Sequence, residues 1–316
     1  MPNPPQKNYL LLGAGFSRNW GGWLAPEVDE YLLGRREIGP ATRNVLFLHR
    51  RKGGFESALA ELQGQNNRDE RLPELLSALK AMFVEMNNSL QRFTPPSNPF
   101  NRKALQFLSR FDAIFTLNQD LLLEHIYQKD PTTWDGNGKW SSGNSPGLKN
   151  LQDDLVGRYI PDPANFRTID RCQPYFKLHG SSNWETSTSN EIMVMGGNKG
   201  NIVSQFPLLK WYHDEFKHQI STPTATLMII GYSFGDDHIN RTIVEGVKTG
   251  GLKIFIIDPI GLDVLDRNRH AQIYTPSELF SDLWSNLAGA SRRSLREIFG
   301  DDLVEHRKIM RFIGDE

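Results

Sequence analysis

Four short segments carry the side chains that could do chemistry: Gly13-Ala14-Gly15-Phe16-Ser17, Thr116-Leu117-Asn118-Gln119-Asp120, His179-Gly180 and Gly231-Tyr232-Ser233. The first supplies two glycines of a dinucleotide fingerprint, which permit a tight turn and let backbone amides approach a pyrophosphate; Arg18 stands where the third glycine would be. Asn118 and Asp120 offer an amide and a carboxylate, although either could instead cap a following helix. His179 offers an imidazole that titrates near neutrality, suited to proton transfer or simply to a satisfied polar position. Ser233 and Asp236 follow Gly231 as possible ligand contacts or N-caps, and Asp258 ends a further apolar run.

Each segment follows a run that reads as a buried strand: 8–12, 113–117, 174–180 and 226–231, with a fifth run at 253–258 and another at 192–195. A helical stretch, 236–248, separates the two clearest runs, which makes them a βαβ unit with parallel strands. Ligands of open α/β sheets collect beyond the carboxyl ends of such strands, so four polar turns in that position point to one shared site. Residues 27–33, 41–50, 55–62, 72–90 and 100–111 have helical patterns. Leu72, Leu75, Leu76, Leu79, Met82, Phe83 and Met86 in particular recur at three- and four-residue spacing. The stretch 129–165 is rich in Gly, Ser, Asn, Asp and Pro and reads mostly as loop, 206–220 reads as a helix, and amphipathic helices are expected near 277–287 and 301–312. The expected fold is α/β, a Rossmann-like parallel sheet flanked by helices. Its core would comprise 1–25 and 112–275, with a helical insertion at 26–111 and C-terminal helices at 276–316 for packing or oligomerisation.

Composition narrows the functional classes. The 316 residues are 38% hydrophobic and 23% charged, as for an ordinary folded protein. Thirty-six basic against 37 acidic residues give a net charge of -1, so no global positive field draws the chain to nucleic acid. No apolar run reaches the ~18–20 residues a membrane span needs, and residues 1–7 lack a secretory pattern, so a cytoplasmic location is expected. One cysteine, Cys172, excludes an internal disulfide and any metal site built on two or more thiolates of this chain, and no metal site is expected.

Taken together and in order, the four segments resemble the core motifs of the sirtuin (silent information regulator) family: GAG-x-S, T-x-N-x-D, HG and G-x-S. The resemblance implies that Gly13, Ala14, Gly15 and Ser17 hold the pyrophosphate of NAD and that Asn118 orders the nicotinamide ribose and a water. It also implies that Asp120 reads the nicotinamide carboxamide and that His179 is the general base. Gly231 and Ser233 would contact phosphate and ribose; Asp258, placed only by its position after a strand, would bond the adenosine ribose.

Two departures bear on activity. Protein-deacylating sirtuins carry a four-cysteine zinc ribbon, which this chain cannot build, and Arg18-Asn19-Trp20-Gly21-Gly22-Trp23 replaces their usual proline-aspartate-phenylalanine-arginine stretch. The chain is more similar to sirtuin-like effectors of bacterial antiphage defence, which deplete NAD, and the stretch from Met195 to Lys210 also looks like that branch. The resemblance therefore implies an NAD hydrolase yielding nicotinamide and ADP-ribose, held inactive until a partner or assembly event. It further implies a homo-oligomer that docks a HerA-type DNA-translocating ATPase. A deacylase or ADP-ribosyltransferase, and a non-catalytic NAD or ADP-ribose sensing scaffold, are the alternatives. Nicotinamide release, acyl-peptide turnover and nucleotide binding without turnover separate them.

Overall fold

The structure is a computed structural model that describes residues 5–64, 69–93, 98–128, 139–151, 157–188, 190–266 and 278–315. Its strands are β1 (Lys7–Leu12), β2 (Ala113–Thr116), β3 (Ser142–Asn144), β4 (Leu148–Asn150), β5 (Tyr159–Pro161), β6 (Cys172–Lys177), β7 (Gly180–Glu185), β8 (Glu191–Met193), β9 (Ala225–Ile230), β10 (Lys253–Ile257) and β11 (Leu287–Ser291). Its helices are α1 (Ala14–Ser17), α2 (Ala25–Gly34), α3 (Pro40–His49), α4 (Gly54–Gly64), α5 (Arg71–Phe93), α6 (Pro99–Leu108), α7 (Leu122–Gln128), α8 (Lys199–Gln205), α9 (Pro207–Ile220), α10 (Asp237–Gly250), α11 (Glu278–Leu283), α12 (Leu295–Ile298) and α13 (Leu303–Phe312).

Seven strands form one sheet in the order β11-β10-β9-β1-β2-β6-β3, and every neighbouring pair is parallel. This is the Rossmann-like sheet flanked by helices that the sequence leads one to expect. Parallel strands need both faces covered, and the alternation within each strand supplies two apolar faces. Leu10, Leu12, Ile114, Met228, Ile230 and Phe255 face one core, shared with Leu32, Leu59, Leu79 and Met82 of α2, α4 and α5. Tyr9, Leu11, Phe115, Phe176, Leu227 and Ile229 face the other, shared with Tyr212, Phe216, Ile239 and Ile243 of α9 and α10.

Between β1 and β2 the chain forms α2 to α6. On α5 the buried residues Leu75, Leu79, Met82, Phe83, Met86 and Leu90 follow the helical period, while Leu76 turns outward and is 40% exposed. Each fully buried leucine there contributes roughly 1.5–3 kcal/mol of transfer free energy, far more than its helix propensity, so packing on the sheet holds this helix.

The structure departs from the sequence reading in four places. The segment 276–316 forms the helices expected there, as α11 and α13, but between them it also contributes β11 to the sheet edge; the residues Leu-Ala-Gly-Ala-Ser carry little strand propensity, and pairing with β10 overrides it. The boundary at 275 lies outside the described residues. The loop-rich stretch 129–165 contains three short strands, of which β3 joins the main sheet and β4 and β5 join a second sheet. The expected strand at 192–195 appears as β8, which pairs antiparallel with β7 in that second sheet, ordered β4-β5-β7-β8. Finally, β6 stops at Lys177, and Gly180 opens β7 rather than closing a strand. No helix among the described residues is long and apolar enough to cross a membrane.

The strand order reverses around β1, which has β2 on one side and β9 on the other. The crevice beyond the carboxyl ends of β1 and β9 is therefore the place where this topology accommodates a ligand.

Candidate active site

Backbone hydrogen bonds continue past the strand ends and set the polar turns in a row. Asp258 N donates to Ser291 O (3.0 Å), Gly231 N to Ile257 O (2.9 Å), Gly13 N to Ile230 O (3.0 Å), Leu117 N to Leu12 O (2.9 Å) and Leu178 N to Thr116 O (2.8 Å). Thr116 pairs with Lys177 in the β2–β6 register, so Asn118 and His179 each lie two residues beyond a paired position on adjacent strands. Neighbouring strands are about 4.8 Å apart, which makes the amide and the imidazole backbone neighbours although they lie 61 positions apart in sequence.

The first two glycines are required by another turn as well as suited to a ligand. A Cβ on Gly13 would lie 2.5 Å from the Gly231 carbonyl oxygen, and one on Gly15 2.6 Å from Gly231 Cα. Gly15 N already donates to Gly231 O (3.0 Å) and Phe16 N to Gly13 O (2.9 Å). Of the residues nominated for the pyrophosphate, Ala14 is exposed, Gly15 half-buried, and Gly13 and Ser17 buried.

Ser17 belongs to a chain of side-chain bonds with one direction. Asn118 Nδ2 donates to Gly13 O (2.9 Å) and to Ser17 Oγ (3.0 Å), and Ser17 Oγ donates to Asp120 Oδ2 (2.8 Å). A carbonyl can only accept, so Gly13 fixes which end of the Asn118 amide faces it. Both amide hydrogens are thereby used, and Asn118 Oδ1 is left with no protein partner among the described residues. Asp120 Oδ1 accepts from Leu122 N (3.0 Å), so this carboxylate does cap the start of α7, as the alternative reading held, while its other oxygen serves the site. Burial raises the Asp120 pKa, opposed by the nearby Lys177 charge and by the bonds from Leu122 and Ser17. Phe16, Ser17, Asn118, Asp120 and Lys177 help to line a narrow cleft that has no room for a water molecule in this conformation.

Beneath that cleft Lys177 is 1% exposed. Its Nζ donates to Asp120 O (2.6 Å), Glu124 Oε1 (2.9 Å) and Ser181 Oγ (2.7 Å), tying β6, α7 and β7 together under the Asn118 turn. From the insertion, Asn87 of α5 accepts from Leu121 N (2.9 Å) and donates to Ser182 Oγ (3.0 Å), bracing the same turn from the other side.

His179 points into a different group of side chains. Its Nε2 lies 3.2 Å from Nε2 of His238, in the first turn of α10, and the His213 ring of α9 packs 5.4 Å from that of His238. His213 Nε2 is 2.9 Å from Leu178 O, which it serves as donor. Burial holds His179 well below the usual histidine range, aided by the Lys199 charge and by the cost of placing a second charge beside His238 or His213. Burial likewise lowers His213 to about 4 against the Leu178 bond, and lowers His238 against the pull of Asp236. All three imidazoles are therefore neutral near pH 7. Lys199, at the start of α8, bridges Glu56 Oε2 of α4 (2.7 Å) and Asp236 Oδ1 (2.9 Å) beside them. Burial opposes its charge, but those two carboxylates prevail and raise its pKa.

Thus the fold gathers Gly13, Gly15, Ser17, Asn118, Asp120 and Gly231 into one network and sets the His179 backbone next to it, joined through Gln119. Gln119 Nε2 donates to Val194 O (2.7 Å) and His179 O (3.4 Å). Ser233 is exposed on the turn after β9. Asp258 is buried at the end of β10, where its Oδ1 accepts from Ile260 N (3.0 Å). Sequence reasoning missed Lys177, Glu124, Lys199, His213 and His238 as site residues. His238 had a signal, since it follows the Gly231 turn by seven residues; His213 and Lys199 had none, because only the packing of α8 and α9 brings them in. The expectation of no metal was drawn from thiolates, and the fold brings together nitrogen and oxygen donors from His179, His238 and Asp236, any two within 4.8 Å.

A family model described as a SIR2-like domain matches residues 112–275, just over half of the chain. That span holds the Asn118, His179, Gly231 and Asp258 turns and leaves the Gly13 turn outside. A solved structure of Sir2Tm bound to a propionylated peptide is similar over 98% of this chain and 94% of that chain, with 12% identity and a TM-score of 0.38. No curated protein matches. With the polar turns aligned on the carboxyl edge of a parallel sheet and the family model spanning all of them but the Gly13 turn, the chain belongs to the SIR2-like family.

Proposed function

We propose that this protein is an NAD glycohydrolase, cleaving NAD to nicotinamide and ADP-ribose. The observation that carries the reading is the directed chain Asn118–Ser17–Asp120, which locks an amide with its carbonyl oxygen unspent at the end of the strand adjacent to the one that carries the neutral His179 imidazole. As nicotinamide leaves, the ribose gains oxocarbenium character and needs an oriented oxygen nucleophile. Asn118 Oδ1 accepts a hydrogen bond from that water or from a ribose hydroxyl, and His179 takes up a proton. A base must be unprotonated before it acts, and the burial of His179 ensures this at neutral pH. His238, 3.2 Å away, is placed to pass the proton on towards the half-buried Asp236 turn. Asp120 is assigned to the nicotinamide carboxamide, the glycine turns to the pyrophosphate and Asp258 to the adenosine ribose.

The biological setting we propose rests on the resemblance to antiphage effectors: a regulated, cytoplasmic, homo-oligomeric enzyme that docks a HerA-type ATPase and depletes NAD when triggered. The near-complete burial of His179, 2% exposed, fits an enzyme whose site must open before turnover. Chromatographic analysis of NAD incubated with the protein, alone and with such an ATPase, tests the activity. Equimolar nicotinamide and ADP-ribose are expected. Acyl transfer from an acylated peptide, or bound nucleotide with no nicotinamide under either condition, would overturn the reading.

A further inference from the structure

We propose that His179, His238 and Asp236 form a binding site for a divalent cation of the zinc class, built into the proposed catalytic centre. The two Nε2 atoms point at each other across 3.2 Å. Zinc takes nitrogen ligands at about 2.0–2.1 Å in a tetrahedral shell, which places neighbouring donors about 3.3 Å apart. The imidazole pair therefore already has the spacing of two zinc ligands. The third donor, a carboxylate oxygen of Asp236, is within 4.8 Å of a ring nitrogen of each histidine, and it sits on the turn leading into α10, where a side-chain movement would close the gap. Two imidazoles and one carboxylate suit zinc, cobalt or nickel; magnesium and calcium prefer all-oxygen shells. Three protein donors leave a fourth position for water.

The surroundings supply a competitor and a support. Lys199 occupies Asp236 as its present cation at 2.9 Å, but holds Glu56 at 2.7 Å as well, so it can yield Asp236 to a metal without losing its own counter-charge. His213 packs against the His238 ring from α9 and restricts where that ring can turn. Metal and proton would then compete for the same two atoms: a cation held between His179 Nε2 and His238 Nε2 blocks the contact through which the proposed hydrolysis passes its proton. The site stands on its donor geometry; its inhibitory effect rests on the hydrolase reading.

The test is titration of protein stripped with chelator and dialysed, using cobalt(II) as a spectroscopic probe and zinc as the displacing ion. One equivalent of cobalt is expected to bind with the visible absorption of a tetrahedral nitrogen–oxygen site, and zinc to abolish that absorption. His238→Ala and Asp236→Asn should each weaken binding by roughly 100-fold or more, beyond the cost of losing a mere supporting partner, while His213→Ala retains the spectrum. If His238→Ala does not fold by circular dichroism, Asp236→Asn decides. Failure of the wild type to bind, or wild-type affinity in the folded variants, would overturn the proposal. Stripped protein that turns over NAD and stalls with one equivalent of zinc supports the competition for His179, and undiminished turnover of the zinc-loaded protein refutes it. Cobalt binding in a protein that never releases nicotinamide would defeat the hydrolase reading and uphold the metal site.

Discussion

At the scale of single residues, the site depends on a relay of side-chain hydrogen bonds that leaves Asn118 Oδ1 without a protein partner among the described residues. Ser17 is the relay between Asn118 and Asp120, accepting from one and donating to the other. Ser17→Ala removes both bonds and leaves a buried carboxylate oxygen short of a donor. It is expected to cost about 1–3 kcal/mol in urea unfolding and to lower NAD turnover, whereas wild-type stability and rate would show that the relay does nothing. The buried Lys177–Glu124 pair makes a sharper case. Glu124→Gln leaves an ammonium at 1% exposure without its counter-charge and should destabilise by roughly 3–5 kcal/mol. His213 provides a pH dependence whose sign is fixed. Its folded pKa of about 4 lies below the ordinary 6.5, so below pH 6.5 the unfolded chain takes up a proton that the native state refuses. Its contribution to stability is complete above pH 6.5 and is lost as pH falls towards 4, by about 3 kcal/mol. Urea denaturation at pH 7 and pH 4 should show wild type losing that much more than His213→Gln; equal losses would rule out the depressed pKa.

At the scale of elements, the two glycine turns act as one unit. Gly231 has φ +62°, and a Cβ there would lie 2.4 Å from Gly15 Cα. Gly231→Ala should therefore cost about 2–5 kcal/mol in strain and overpacking and displace the Gly13 turn, measurable as lost stability together with lost NAD affinity. An alanine variant with unchanged NAD binding would uncouple the turns. The elements also explain what the sequence could convey. Strands β1, β2, β9 and β10 were legible because both their faces are buried, which forces continuous apolar runs, and a polar turn follows each. β11 and β3 were not, because edge strands of small residues such as Leu-Ala-Gly-Ala-Ser are held by a neighbour's hydrogen bonds and have no apolar signature of their own. For the same reason Asn118, Asp120 and His179 could be picked out from the turns where they lie. His213 and Lys199 enter the site from α9 and α8 through tertiary packing, which no local pattern encodes.

At the scale of the whole molecule, three parts of the chain meet at the proposed catalytic centre: the insertion through Asn87 and Glu56, the sheet edge through Asn118 and His179, and α8 to α10 through Lys199, His213 and His238. The central claim is that an amide from β2 and an imidazole from β6 act on the same sugar. The measurement that tests it most directly is single-turnover nicotinamide release by Asn118→Ala and His179→Ala, with NAD affinity measured in parallel under the conditions in which wild type turns over. Both variants should lose roughly 100-fold or more in rate while still binding NAD, because each removes a group from the reacting centre, while the backbone bonds of Gly13 N to Ile230 O and Gly15 N to Gly231 O still hold the glycine turns. Wild-type release rates from either variant would contradict the account.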